Sequence, residues 1–165
     1  MKVIYVSSYA CSIDRLWLAA TEAGVCGIGF ESVQKFESFS APRPEHEIKH
    51  AENDLIVQLI ARHEENFNER PEPFDLPLDV TGSPFQLRVW QALRRIPYGR
   101  QRSYRQIAAE IGAPGAVRAV GNANHANPTP IIVPCHRVTR SDGSLGGYAG
   151  GLGIKEALLR LEGTI

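Results

Sequence analysis

Two four-residue signatures, Ser83-Pro84-Phe85-Gln86 and Ser103-Tyr104-Arg105-Gln106, constrain this chain more than any other feature. Each puts a serine where its hydroxyl can take a backbone N–H one turn into a helix, and a glutamine where its side chain can reach back to the serine N–H. Pro84 strengthens the first, because the N–H it lacks is unpaired at a helix start in any case. Phe85, Val89, Leu93 and Ile96 then fall on one face, and Pro97-Tyr98-Gly99 ends the helix. The second signature opens a shorter helix that stops at Gly112, and Pro114 starts a third that runs to about Ala126. Residues 103–126 therefore read as a helix-turn-helix about Gly112-Ala113, although any two packed helices with a glycine turn give the same pattern.

The chain ahead of these signals has a different texture. Val3–Val6, Leu16–Ala20 and Val25–Phe30 are short apolar runs separated by polar turns, the pattern of a small antiparallel sheet. A Ser/Pro loop around Ser38 to Pro44 follows, and from His46 to Arg62 the spacing of Ile48, Leu55, Leu59 and Ile60 predicts an amphipathic helix. Proline and charge dominate residues 66–77, which read as a linker. The expected organisation is an α/β (α+β) N-terminal domain over residues 1–75 and a mostly helical C-terminal domain over 76–165. No run reaches the roughly 18 apolar residues of a membrane span, and the start reads as a strand rather than a signal peptide, so a cytoplasmic protein is expected. Three cysteines, Cys11, Cys26 and Cys135, without a C-x-x-C pair, argue against a disulfide framework or a structural zinc.

The zero net charge is a cancellation. Residues 1–83 hold seven Lys and Arg against fourteen Asp and Glu, whereas residues 84–140 hold nine arginines, no lysine and one acid, Glu110. Arginine offers a planar fork of donors suited to phosphate, so this block points to nucleic acid; a phosphate-bearing small ligand, an acidic partner or a merely solvated basic face are the alternatives. The third helix carries Ala116, Ala119, Gly121 and Ala123, which keep it slim, and Arg118, Asn122 and His125 at i, i+4 and i+7. Such a helix can approach a groove closely and push an arginine into a base stack, but small residues also serve ordinary helix packing.

Beyond it, Pro134-Cys135-His136-Arg137 sets one thiol beside one imidazole. A free thiol is only a few per cent ionised at neutral pH, so a nucleophilic cysteine needs a base or a positive field, and His136 can supply one. The other reading is a small buried hydrophobe. Glu162 follows Leu158 by four residues on the apolar face of the last predicted helix, where a carboxylate needs a partner.

With these residues in hand, the sequence resembles the O6-alkylguanine-DNA alkyltransferase family. The likeness runs from about Thr81 to Gly163, through Phe85-Gln86, Ile96-Pro97-Tyr98-Gly99, Ser103-Tyr104, Arg118-Ala119-Val120-Gly121, Asn127-Pro128, Ile131 to Val138, Gly147 to Gly151, Lys155, Leu158-Leu159 and Glu162-Gly163. It is loose over the first 80 residues. The resemblance implies a ribonuclease H-like N-terminal domain with a small antiparallel sheet, a winged helix-turn-helix C-terminal domain with its active-site loop at 130–151, and a monomeric, single-use repair protein without cofactor or metal. Its partner would be double-stranded DNA bound through the minor groove. Its reaction would be flipping of O6-alkylguanine, and of O4-alkylthymine, with irreversible transfer of the alkyl group to Cys135. A non-catalytic protein that binds alkylated DNA is the alternative, although those relatives lack the acceptor cysteine.

In this frame His136 deprotonates the thiol through a bound water, Glu162 orients His136, and Tyr104 donates to the departing base. Arg118 fills the gap left by the extruded nucleotide, a phosphate contact being the alternative. Asn127 fixes the loops around the cysteine or is simply a turn residue. Ser103, Tyr104, Ala119, Gly121, Asn122 and Arg137 fall to the DNA contact. Pro130, Val138, Tyr148, Ala149 and Gly150 form the substrate pocket. Three positions depart from the family pattern: His125-Ala126 stands where Arg-Gly is common, and Ala149 where some members carry serine.

Overall fold

The computed structural model describes residues 1–41, 44–67 and 74–165, so residues 42–43 of the expected loop and 68–73 of the expected linker lie outside the described residues. The chain divides into two compact units, Met1–Val80 and Thr81–Ile165.

The first unit is a four-stranded sheet in the order β3-β2-β1-β4, built from β1 (Lys2–Ala10), β2 (Arg15–Ala20), β3 (Val25–Phe30) and β4 (His46–His50). β1, β2 and β3 form an antiparallel meander, with Tyr5 opposite Ala20 and Leu18 opposite Ile28. Leu16 to Ala20 are all buried because β2 is covered on both faces. On one side lies α2 (Asp54–Phe67), which buries Ile56 and Leu59. On the other, Phe36 of the single-turn α1 (Phe36–Phe39) packs on Trp17 with ring centroids 4.8 Å apart.

Two expectations are corrected here. The sheet is mixed rather than antiparallel, because β4 pairs parallel to β1 with Ile4 beside Ile48. The same segment, His46–His50, is not the first part of a helix; α2 starts only at Asp54. Ile48 matched the helical spacing by coincidence, since its isolated apolar side chain between Glu47 and Lys49 is equally an edge-strand alternation.

Residues after the expected linker stay with this unit. Val25 N–H donates to the Pro77 carbonyl and Asp79 N–H to the Val25 carbonyl, both at 2.9 Å. Asp79 also pairs with Lys2 and accepts from the Thr21 hydroxyl, each at 2.5 Å.

In the second unit both capping boxes form. Ser83 caps α3 (Pro84–Arg94) and Ser103 caps α4 (Tyr104–Glu110), each accepting from the N–H of the glutamine three residues on while that glutamine's side chain accepts from the serine N–H. Gly112, at φ +76°, ends α4 in the left-handed region that favours glycine. The third helix, α5 (Val117–His125), is shorter than its Pro114–Ala126 expectation because residues through Ala116 are spent on the turn. Val89 and Leu93 of α3, Ile107 of α4 and Val120 of α5 meet in the core, and the Trp90 indole N–H donates to the Ala123 carbonyl at 2.8 Å. β5 (Arg102–Ser103) and β6 (Val138–Thr139) form a two-stranded parallel ribbon, and α6 (Leu152–Leu161) closes the unit on Leu158 and Leu159. Among the described residues no helix is long and apolar enough to cross a membrane.

Candidate active site

The site is built on a single 3₁₀ turn, Cys135–Arg137, between a strained approach and the ribbon strand β6. In the approach, Ile131 has φ +76°, a costly conformation for a β-branched residue that persists only where its surroundings impose it. Asn127 braces the same segment from both sides of Ile131: its Nδ2 donates to the Val133 carbonyl at 2.8 Å while its Oδ1 accepts from Thr129 N–H at 3.0 Å. The Cys135 N–H then donates to the Val133 carbonyl at 2.7 Å.

The Cys135 side chain is buried, with the side chains of Asn127 and Tyr148 in hydrogen-bonding reach of its sulphur. Burial pushes its thiol up; Asn127, Tyr148 and the charge of Lys155 offset part of that. Its carbonyl accepts from Asn124 Nδ2 at 3.3 Å. His136 is buried beside it, and its Nε2 lies 2.8 Å from Glu162 Oε1. Burial lowers the imidazole below its ordinary value, against the pull of Glu162. With Nε2–H donating to the carboxylate, Nδ1 is the unprotonated nitrogen, and it has no hydrogen-bond partner among the described residues. Glu162, at the C-cap of α6, exposes only 4% of its side chain. Burial alone would raise it, but the hydrogen bonds from His136 and Arg137 hold it below the usual carboxylate range.

Among the described residues Lys155 is the largest fully buried side chain, and no acid there pairs with it. Its ammonium donates to the carbonyls of Val138 at 2.6 Å, Leu145 at 2.5 Å and Gly147 at 3.3 Å, tying the loop after β6 to α6. Burial lowers it to about 8. The Tyr104 ring covers the same loop: a Cβ on Gly146, itself at φ +72°, would sit 3.1 Å from the ring, and the Tyr104 hydroxyl reaches the Gly147 carbonyl at 3.5 Å. Burial raises the Tyr104 phenol, and the nearby Cys135 adds to this. Beside it opens a cavity of about 540 Å³ whose lining includes Tyr104, Arg118, Gly121, Asn122, Asn124, Arg140 and Gly147.

Comparison with known proteins decides the family. Residues 4–80 match the family description "6-O-methylguanine DNA methyltransferase, ribonuclease-like domain" and residues 84–164 its "DNA binding domain". The chain belongs to the 6-O-methylguanine DNA methyltransferase family. It is 44% identical over 160 residues to a methylated-DNA–protein-cysteine methyltransferase of Methanosarcina barkeri, covering 96% of this chain and 97% of that one. Over 89 residues it is 62% identical to the protein of that name from Mycolicibacterium paratuberculosis, about half of each chain. The crystal structure of Mycobacterium tuberculosis OGT in complex with DNA superposes with a TM-score of 0.84 at 39% identity, covering 97% of this chain and 93% of that one.

Within this methyltransferase family frame, the structure brings Cys135, His136, Glu162, Asn127 and Tyr148 into one buried cluster, and Pro130, Val138 and Gly150 are buried as well. Arg118, Ala119 and Asn122 are exposed on α5, Gly121 is half-buried there, and Ser103 is engaged as the cap of α4. Ala149 is exposed. Arg137 is turned to the carboxylate: its side chain is 12% exposed and donates to Glu162 and to the Ile96 carbonyl. Sequence reasoning missed three neighbours of the site. Lys155 was signalled by its place four residues before Leu159 on an apolar stripe, and Asn124 by a polar side chain on the inner face of α5. Nothing in the sequence marked Arg140 out from the other arginines.

Proposed function

We propose that this chain repairs O6-alkylguanine in duplex DNA by moving the alkyl group to its own Cys135, once per molecule. The observation that carries this reading is the chain of contacts from the Glu162 carboxylate through His136 to the turn bearing Cys135, next to the cavity beneath α5. In the reaction the Cys135 sulphur attacks the alkyl carbon in line with the O6–carbon bond. Its proton passes, through one water, to His136 Nδ1, whose Nε2–H is fixed by Glu162. The S–C bond forms as the O6–C bond breaks, and guanine leaves with the bonding electrons and takes a proton by way of Tyr104. Thioether formation has no hydrolytic step to reverse it, so the protein is consumed.

DNA enters by its minor groove against α5, with Ser103, Ala119, Gly121 and Asn122 at the backbone and Arg118 in the gap of the extruded nucleotide, which limits an unstacking cost of a few kcal/mol. Pro130, Val138, Tyr148, Ala149 and Gly150 enclose the flipped base, and O4-alkylthymine is accepted as a second lesion. The protein acts as a monomer in the cytoplasm, at the nucleoid if the cell is prokaryotic. The second reading, a protein that binds alkylated DNA without reacting, is disfavoured by the acceptor thiol at position 135.

Incubation with O6-methylguanine duplex is expected to add one methyl group to the Cys135 peptide, at most once per molecule, by mass spectrometry. A Cys135→Ala variant should keep lesion binding and lose transfer. Binding without any adduct on wild-type protein would overturn the reading in favour of the second one.

A further inference from the structure

Resting on the reading just given, we propose that Arg137 is a positioning residue of the transfer reaction: it pins the Glu162 carboxylate so that one oxygen serves His136 Nε2 and the Nδ1 lone pair is kept for the thiol proton. The guanidinium engages both carboxylate oxygens, with Nε 3.0 Å from each and Nη2 2.7 Å from Oε1. Oε1 is the oxygen that also meets His136 Nε2 at 2.8 Å, so arginine and imidazole share one acceptor. The remaining edge is anchored too, since Nη1 donates to the Ile96 carbonyl at 2.8 Å and the guanidinium lies over the Tyr98 ring, 5.6 Å from its centroid. Tyr98 in turn donates to the Leu161 carbonyl at 3.2 Å, in the last turn before Glu162. The fork is thus fixed from both sides and fixes the carboxylate, a geometry that a lysine's single point of charge does not reproduce.

The arrangement also decides the charge of the base. Cys135, Arg137, Glu162 and Lys155 are the titratable groups that act on His136 or adjoin it, with Tyr148 acting on Cys135 and Glu162. Arg137 neutralises Glu162, so the carboxylate can hold the imidazole N–H without drawing a second proton onto the ring. Without the guanidinium, an uncompensated carboxylate faces His136 and favours imidazolium, which has no lone pair to accept the thiol proton. Arg137 therefore belongs with Glu162 and not with the DNA-facing arginines of its charge block.

The test compares wild type, Arg137→Gln and Arg137→Lys in single-turnover methyl transfer from O6-methylguanine duplex across about pH 5.5 to 9, the range in which histidine titrates. Duplex affinity is measured separately with each substitution in a Cys135→Ala background. Arg137→Gln is expected to slow transfer at neutral pH by about 10- to 100-fold, part of the ~10²- to 10⁴-fold that a positioned base supplies. Its acid limb should move to higher pH, Arg137→Lys should restore part of the loss, and duplex affinity should stay within about twofold. An unchanged pH profile, or a loss of rate matched by a loss of affinity, overturns the assignment. If Arg137→Gln fails to fold, ¹⁵N-imidazole spectra of wild type and Arg137→Lys decide. Wild type should show His136 protonated at Nε2 and bare at Nδ1, and the opposite tautomer refutes the proposal. Absence of methyl uptake by wild type would overturn the alkyl-transfer reading itself, and this proposal with it.

Discussion

Replacing Lys155 by methionine separates the charge of the buried ammonium from its bulk, and the structure gives the size of the effect. The ammonium is fully buried and, among the described residues, faces three carbonyls and no acid. Burial brings its folded value down to about 8 from an ordinary 10.5. A lysine depressed in the folded state binds its proton less tightly there than in the unfolded chain. Stability is therefore lowest where both states are protonated, below about pH 8, and rises until both are neutral above 10.5. The gap of about 2.5 pH units corresponds to about 3 kcal/mol at 1.36 kcal/mol per unit. Urea unfolding of both proteins, in a Trp17→Phe background so that Trp90 reports the C-terminal unit, should show wild type gaining about 3 kcal/mol on Lys155→Met as pH rises from about 7 to 10.5. Taking the difference cancels the phenols and arginines common to both proteins. A difference that stays flat with pH would mean that the three carbonyls fully offset the burial, and would refute the reasoning. A neutral amine also donates fewer hydrogen bonds than an ammonium, and the longest contact, to the Gly147 carbonyl, is the one expected to be lost first.

Two further outcomes concern the N-terminal unit. His63 is fully buried among Tyr9, Phe67 and Phe74, neither ring nitrogen has a hydrogen-bond partner among the described residues, and burial lowers it to about 3. Its contribution is intact above about pH 6.5 and is lost progressively as pH falls toward 3, by roughly 5 kcal/mol in all. A His63→Phe variant should therefore unfold at lower pH than wild type by circular dichroism, and coincident acid transitions would contradict this. Gly24→Ala should destabilise the same unit by about 1 to 3 kcal/mol, because its Cβ would lie 2.6 Å from the Leu78 carbonyl carbon and 2.7 Å from the Asp79 nitrogen, both backbone. An unshifted thermal midpoint would show that the 77–79 segment yields freely.

What the sequence made legible was whatever is satisfied locally. Ser83 with Gln86 and Ser103 with Gln106 close their hydrogen bonds within four residues, so both helix starts were readable and both formed. Glu162 was readable as a carboxylate needing a partner because its helix face was apolar. Its partners were less so. Arg137 counted as one more arginine in a basic block, since composition records charge and not the direction in which a side chain leaves the turn. β4 was hidden for a related reason: its pairing partner, β1, lies more than thirty residues away, and one isoleucine in five residues fits a helix and an edge strand alike. Lys155 broke the usual rule that lysines are exposed, and three carbonyls, of β6 and of the loop that leads from it into α6, explain why it can stay inside.

The Pro-Cys-His-Arg run left two readings open, an inert buried thiol or a nucleophile, and in the proposed reaction these are not alternatives. Burial pushes the Cys135 thiol up and the His136 imidazole down, so both tend toward their neutral forms at rest, while Glu162 is held ionised and neutralised by Arg137. A thiolate kept standing in such a site would lack solvation and would react with any electrophile that reached it. In the proposed reaction the proton instead leaves as the sulphur attacks, and His136 becomes charged only then, next to a carboxylate already oriented to receive it. The burial that makes Cys135 look like a core residue thus confines its reactivity to the moment when an alkylated base is held against it. For a protein that reacts only once, that restraint matters as much as the rate.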